Sequence, residues 1–167
     1  MSADARRRRE LQRLATEVLA DVESLGLVAE QLATARVHLT PSSRPMCAMV
    51  AVDLHRYYTA VENLLERIER SVGALPPNGP SWHRDLLEGA THRLADARPA
   101  ILSGHLLEDL EELLAFRRFF RHAYKVEFDA TRLIALTDRV ARSHKGTEAD
   151  FRNFVSYLNG VADQLAP

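Results

Sequence analysis

One cysteine in 167 residues, Cys47, excludes an intrachain disulfide and fits a reducing cytoplasm. Glycine and proline are scarce, seven of each, and they cluster between segments, so long helices are not interrupted. The longest unbroken apolar run, Met46 to Val52, falls far short of the ~20 residues that cross a bilayer. The charged stretch Met1 to Glu10 has no apolar segment behind it of the signal-peptide kind. These features lead to the expectation of a soluble, cytoplasmic protein with no membrane partner. A formal net charge of -1 means that no global field recruits nucleic acid, so any polyanion site has to be a local patch. Sustained two-residue alternation is missing and β-branched residues are sparse, which argues against a sheet. There is no phosphate-cradling Gly-rich loop and no nucleophile elbow. Two Glu-x-x-His pairs on separate helices are missing too, and Cys47 has no close partner for zinc, so metal catalysis is not expected.

What the chain does contain is helical periodicity. Leu11, Leu14, Val18, Leu25, Val28 and Leu32 recur at three- and four-residue intervals and predict an amphipathic helix over 4–39. Pro41 to Pro45 end it, and a second helix is predicted over 46–72. The loop Gly73 to Pro80 leads to Ser81, read as the N-cap of a shorter helix reaching Asp96. A fourth helix is predicted from Pro99 to His122. Two more follow, one capped by Asp129 and one beginning after Gly146-Thr147. The expected architecture is one all-α domain over residues 1–167, an antiparallel bundle of about five to six helices.

The segment Phe116 to Lys125 concentrates Arg117, Arg118, Arg121, His122, Tyr124 and Lys125 without a carboxylate, directly after the acidic Glu108 to Glu112. On a continuous helix Arg117, Arg121 and Tyr124 share one strip, with Arg118 and His122 on the next and the Phe residues turned to the core. Arginine forks match phosphate oxygens, and a histidine moves protons near neutral pH. A solvated outer face accounts for the same charges, and spacing leaves open whether Arg117, Arg118 or Arg121 is the working arginine. Among the other helical positions, Trp82 reads as a core anchor, as does Tyr57. Glu62 is placed to pair with Arg117 across the bundle.

Arg117, four residues, His122, one residue, Tyr124 resembles the signature of the HepT-like branch of the HEPN superfamily. Leu54 to Tyr58 followed by Val61 to Ile68 resembles that family's second helix. Ser81 to Leu87 and Arg98-Pro99 are similar to the subgroup with a HepT-like ribonuclease domain. One departure is Arg118, where the family often has Asn, which removes any role for that amide. The resemblance implies a toxin of a toxin–antitoxin system, a metal-independent endoribonuclease needing no cofactor and acting on RNA, with tRNA as the implied substrate. It also implies a homodimer with facing motifs and a small MntA-type nucleotidyltransferase antitoxin that transfers AMP onto the motif tyrosine. By position, Arg117 and His122 would be catalytic and Tyr124 the modified residue. Arg118, Arg121 and Lys125 are better placed as backbone-phosphate contacts. On a straight helix Arg117 and His122 would point about 140° apart, which a second His122 from a partner would remedy. The alternative is a non-catalytic helical HEPN adaptor that binds a nucleotidyltransferase and holds nucleotide or RNA uncut.

Overall fold

A computed structural model describes residues 2–73, 77–123 and 127–165. They form α1 (Ala3–Arg36), α2 (Arg44–Ser71), α3 (Trp82–Ala90), α4 (Leu107–Phe120) and α5 (Ala130–Gln164), with a 3-10 turn at Gly104–Leu106 before α4. No strand occurs among the described residues; Leu94 and Arg98 make one isolated bridge. Nor is any described helix long and apolar enough to cross a membrane.

The two longest helices form the frame. The α1 stripe from Leu11 to Leu32 is buried at every apolar position named above, and α1 lies along α5 with α2 on its other flank. Ser2 accepts a hydrogen bond from the Ala5 amide and Asp129 from the Thr131 amide, so both long helices begin on a side-chain cap. In α2, Pro45 sits in the first turn, where its missing N–H costs no helical bond.

Three boundaries differ from expectation. First, α5 runs unbroken through Gly146-Thr147, where two helices were predicted. A Cβ at Gly146 would stand 3.1 Å from Leu106 Cδ2, so this glycine admits a neighbour rather than ending a helix. Thr147 returns its hydroxyl to the Ser143 carbonyl, so its buried oxygen is satisfied within the helix. Second, α3 stops at Ala90, short of Asp96. The Ala90 carbonyl accepts from both the Ile101 and Leu102 amides as the chain doubles back. Asp96 takes a positive φ of 59°, and Leu94 is left exposed. Ser81, expected to cap α3 with its side chain, instead donates to Asp85 Oδ2.

Third, α4 is shorter than predicted at both ends. Pro99 keeps Arg98 out of helical geometry. The buried Arg98 guanidinium pairs with the buried Glu69 of α2 and also donates to the carbonyls of Gly89, His92 and Pro99. Ser103 then donates from its amide and hydroxyl to Asp150 of α5. These two staples fix the approach to α4. At its far end the helix closes at Phe120. Arg121 and His122 lie in a turn, with the His122 amide on the Phe119 carbonyl and the Ala123 amide on that of Phe120. The straight-helix angle between Arg117 and His122 therefore does not apply.

Between α2 and α5, the Tyr57 hydroxyl meets His144 Nδ1 at 3.2 Å. Burial pushes the His144 imidazole below its ordinary value, against the opposing pull of Glu148 and Glu30. A depressed histidine binds its proton more readily when unfolded, so its contribution to stability is full above the ordinary imidazole range, about pH 6.5, and fades as pH falls below it. Urea midpoints should accordingly rise with pH through that window, and His144→Gln should flatten the rise. An unchanged slope would rule out this assignment.

Candidate active site

The last two turns of α4 bury Leu113, Leu114 and Phe116, and the stripe continues into Arg117, only 9% exposed. A buried guanidinium needs a counter-charge. Glu62 of α2 supplies it: Arg117 Nη2 lies 3.0 Å from Glu62 Oε1, an ion pair. The other carboxylate oxygen, Oε2, lies 2.5 Å from Nδ1 of His83, in the first turn of α3. Glu62 is itself 3% exposed, so one buried carboxylate ties together α2, α3 and α4. The His83 ring stacks on Trp82, ring centroids 3.6 Å apart, and Trp82 packs against the core as an anchor should.

Only one nitrogen of the Arg117 guanidinium, Nη2, is paired. Its Nε and Nη1 are buried and have no hydrogen-bond partner among the described residues. Such donors are expensive to leave unmet, each costing about 1–3 kcal/mol.

The same face of α2 carries Tyr58 and His55, the latter seven residues before Glu62. Burial, then the Glu62 charge, pushes the Tyr58 phenol well up, with Arg117 and Arg118 pulling the other way. His55 is half-buried and stacks on Phe120 at 4.7 Å and 20°. Its imidazole is held below the ordinary value by burial and then by the charges of Arg117 and Arg121.

The motif residues separate into two groups. Arg117 is buried, although on a continuous helix it shares a strip with Arg121 and Tyr124 away from the core-facing Phe residues. Arg118, Arg121 and His122 are exposed, and neither Arg118 nor Arg121 makes an ion pair among the described residues. Arg118 opens onto a shallow cleft shared with Arg84 and Glu111. Tyr124 and Lys125 lie outside the described residues. The pairing of Glu62 with Arg117 expected across the bundle is present. His83 and His55 were missed as site residues. The i, i+3, i+7 spacing of His55, Tyr58 and Glu62 on α2 was a usable signal for His55; nothing local marked His83 as a partner of Glu62. Among the described residues, no group of three His, Cys, Asp or Glu could hold a metal ion.

An all-α bundle with a buried arginine at the end of its fourth helix and cationic residues just beyond is a HEPN-like helical protein. A family model described as HepT-like protein matches residues 49–158, and the chain belongs to this family. The matched span takes in most of α2, all of α3 and α4, and most of α5. No curated protein and no solved structure matched the chain. Membership in this family is consistent, in general terms, with a ribonuclease toxin and with a toxin–antitoxin setting.

Proposed function

We propose that this chain is the endoribonuclease toxin of a toxin–antitoxin pair, with Arg117 and His122 as its catalytic residues. The observation that supports this most is the state of Arg117, a fixed buried cation paired with Glu62 with two donor nitrogens, Nε and Nη1, left over. A structural arginine would use all of its edges, as Arg98 does with Glu69 and three carbonyls. A phosphate oxygen would engage Nε or Nη1, which point in different directions, after a small shift of the side chains over them, and would bring the charge that develops in phosphoryl transfer next to a preorganised cation.

In the reaction proposed, the RNA 2′-oxygen forms a bond to its neighbouring phosphorus while the bond from phosphorus to the 5′-oxygen breaks. The proton on the 2′-hydroxyl passes to a base and the departing 5′-oxygen takes one from an acid, leaving a cyclic phosphate and a 5′-hydroxyl. His122, exposed in the turn after α4, serves one of these transfers. A second His122 from the other protomer of a homodimer serves the other. No metal or cofactor is required. Arg118, Arg121 and Lys125 hold flanking phosphates, and tRNA is the substrate proposed. An MntA-type nucleotidyltransferase would neutralise the toxin in the cytoplasm by placing AMP on Tyr124, adding an anion that competes for the same arginines.

Expression of the wild type and of His122→Ala without a partner tests this reading. Wild-type expression should arrest growth and yield RNA fragments ending in a cyclic phosphate, and His122→Ala should do neither. Equal growth with intact RNA in both would return the chain to the adaptor class. Fragments with a 3′-hydroxyl would overturn the cyclisation chemistry.

A further inference from the structure

We infer that the groove between α1 and α2, beside the arginine end of α4, is a subsite for one nucleobase of the bound strand. This inference rests on the ribonuclease reading and assigns the specificity of the same site. The groove has a volume of about 330 Å³, and its polar lining is Ser24 from α1 with His55, Arg56, Thr59 and Asn63 from α2. That size is at the small end of ligand clefts, about 300 Å³ and up. It suits a single base rather than a helix or a lipid chain.

Two of its groups are conspicuously unused. His55 Nδ1 and Thr59 Oγ1 are buried and have no hydrogen-bond partner among the described residues. Thr16, Thr34, Thr137 and Thr147 all donate their hydroxyls to the carbonyl four residues back. Thr59, in the middle of α2, does not. Neither group has a hydrogen bond to break when it turns toward a ligand, and both are costly to leave as they stand. Asn63, one turn beyond Thr59, is exposed and adds an amide that both donates and accepts. No acidic side chain lines the groove, and the nearby Asp53 is already paired with Arg56 at 3.0 Å.

Position links this groove to the phosphate site. His55 forms one wall, and its ring is stacked on Phe120, the residue directly before Arg121 and one turn after Arg117. The charges of both arginines reach the His55 ring. A nucleotide with its phosphate on the arginines has its base at the mouth of the groove. There the His55–Phe120 stack offers an aromatic platform, and Thr59 and Asn63 offer hydrogen bonds to a base edge.

Calorimetric titration of the full chain with the four 2′-deoxynucleoside 3′-monophosphates, and with inorganic phosphate, tests the assignment. At least one nucleotide should bind about ten-fold or more tighter than phosphate. In the double variant Thr59→Val, Asn63→Ala that advantage should fall below about three-fold. Ala60→Phe, which fills the groove and leaves its polar groups in place, should remove the advantage independently; circular dichroism checks that each variant folds. Equal affinity of the wild type for nucleotides and phosphate overturns the subsite, as does an advantage that persists in a folded variant. RNA cleavage by the wild type separates the two readings. Cleavage without a nucleotide advantage overturns the subsite alone. An advantage without cleavage overturns the ribonuclease reading and leaves a nucleotide-binding groove.

Discussion

Arg117→Ala should lower the rate of RNA cleavage by about 10²–10³-fold, the usual consequence of deleting one preorganised donor aimed at developing charge. The argument is geometric. Glu62 fixes the guanidinium from one edge at 3.0 Å, and burial removes the water that would otherwise screen it. Arg117→Lys should recover little, because an ammonium is a compact point charge that cannot pair with Glu62 and also present fixed, separately directed donors to a phosphate. Arg118→Ala and Arg121→Ala should behave differently. Each removes an exposed cation, so RNA binding should weaken and its salt dependence should drop by about one unit of slope, with the cleavage step itself little changed. Single-turnover cleavage at saturating enzyme separates these outcomes. A folded Arg117→Ala protein that cleaves at the wild-type rate would move the chemistry to Arg118 or Arg121, the choice that sequence spacing alone leaves open.

Glu62→Ala should cost about 3–5 kcal/mol of stability, the range found when one partner of a buried ion pair is removed. The change strands Arg117 in the core and leaves His83 Nδ1 without its carboxylate, so two helices lose their tie to α2. Glu62→Gln keeps the shape and one acceptor, and should fall between. The double replacement Glu62→Met, Arg117→Met should win back much of the loss, since a well-packed apolar pair often matches a buried ionic one. It should not restore cleavage. Urea unfolding monitored by circular dichroism measures all four proteins. A Glu62→Ala midpoint equal to that of the wild type would mean that the carboxylate is not what holds Arg117.

How far the sequence could be read varied with the origin of each feature. The stripes of α1 and α2 were plain because each repeats over many turns and buries the same face throughout. Helical spacing placed Glu62 on one face of α2, but it did not choose Arg117 as its partner across the bundle, since spacing within one helix carries no register to another. Gly146 misled because a helix-breaking propensity of about 1 kcal/mol is outweighed by packing, here the approach of Leu106. The end of α4 misled for a similar reason. Nothing in Phe119 to Ala123 is a helix stop by composition, yet the chain tightens there into a turn that takes His122 off the helix. His83 was invisible as a site residue because its partner is more than 20 residues away on another helix, a relation that local pattern does not encode. The roles assigned to Tyr124 and Lys125 rest on sequence and on the proposal, since both fall outside the described residues.

Trp82 is the only indole in the chain, and it stacks on the imidazole that shares a carboxylate with Arg117. Indole emission depends on what lies against its ring, here the His83 imidazole. The protein thus carries its own optical probe one residue from the centre of the cluster. Without any label, the light it emits reports on whatever displaces or releases the histidine that leans on Glu62.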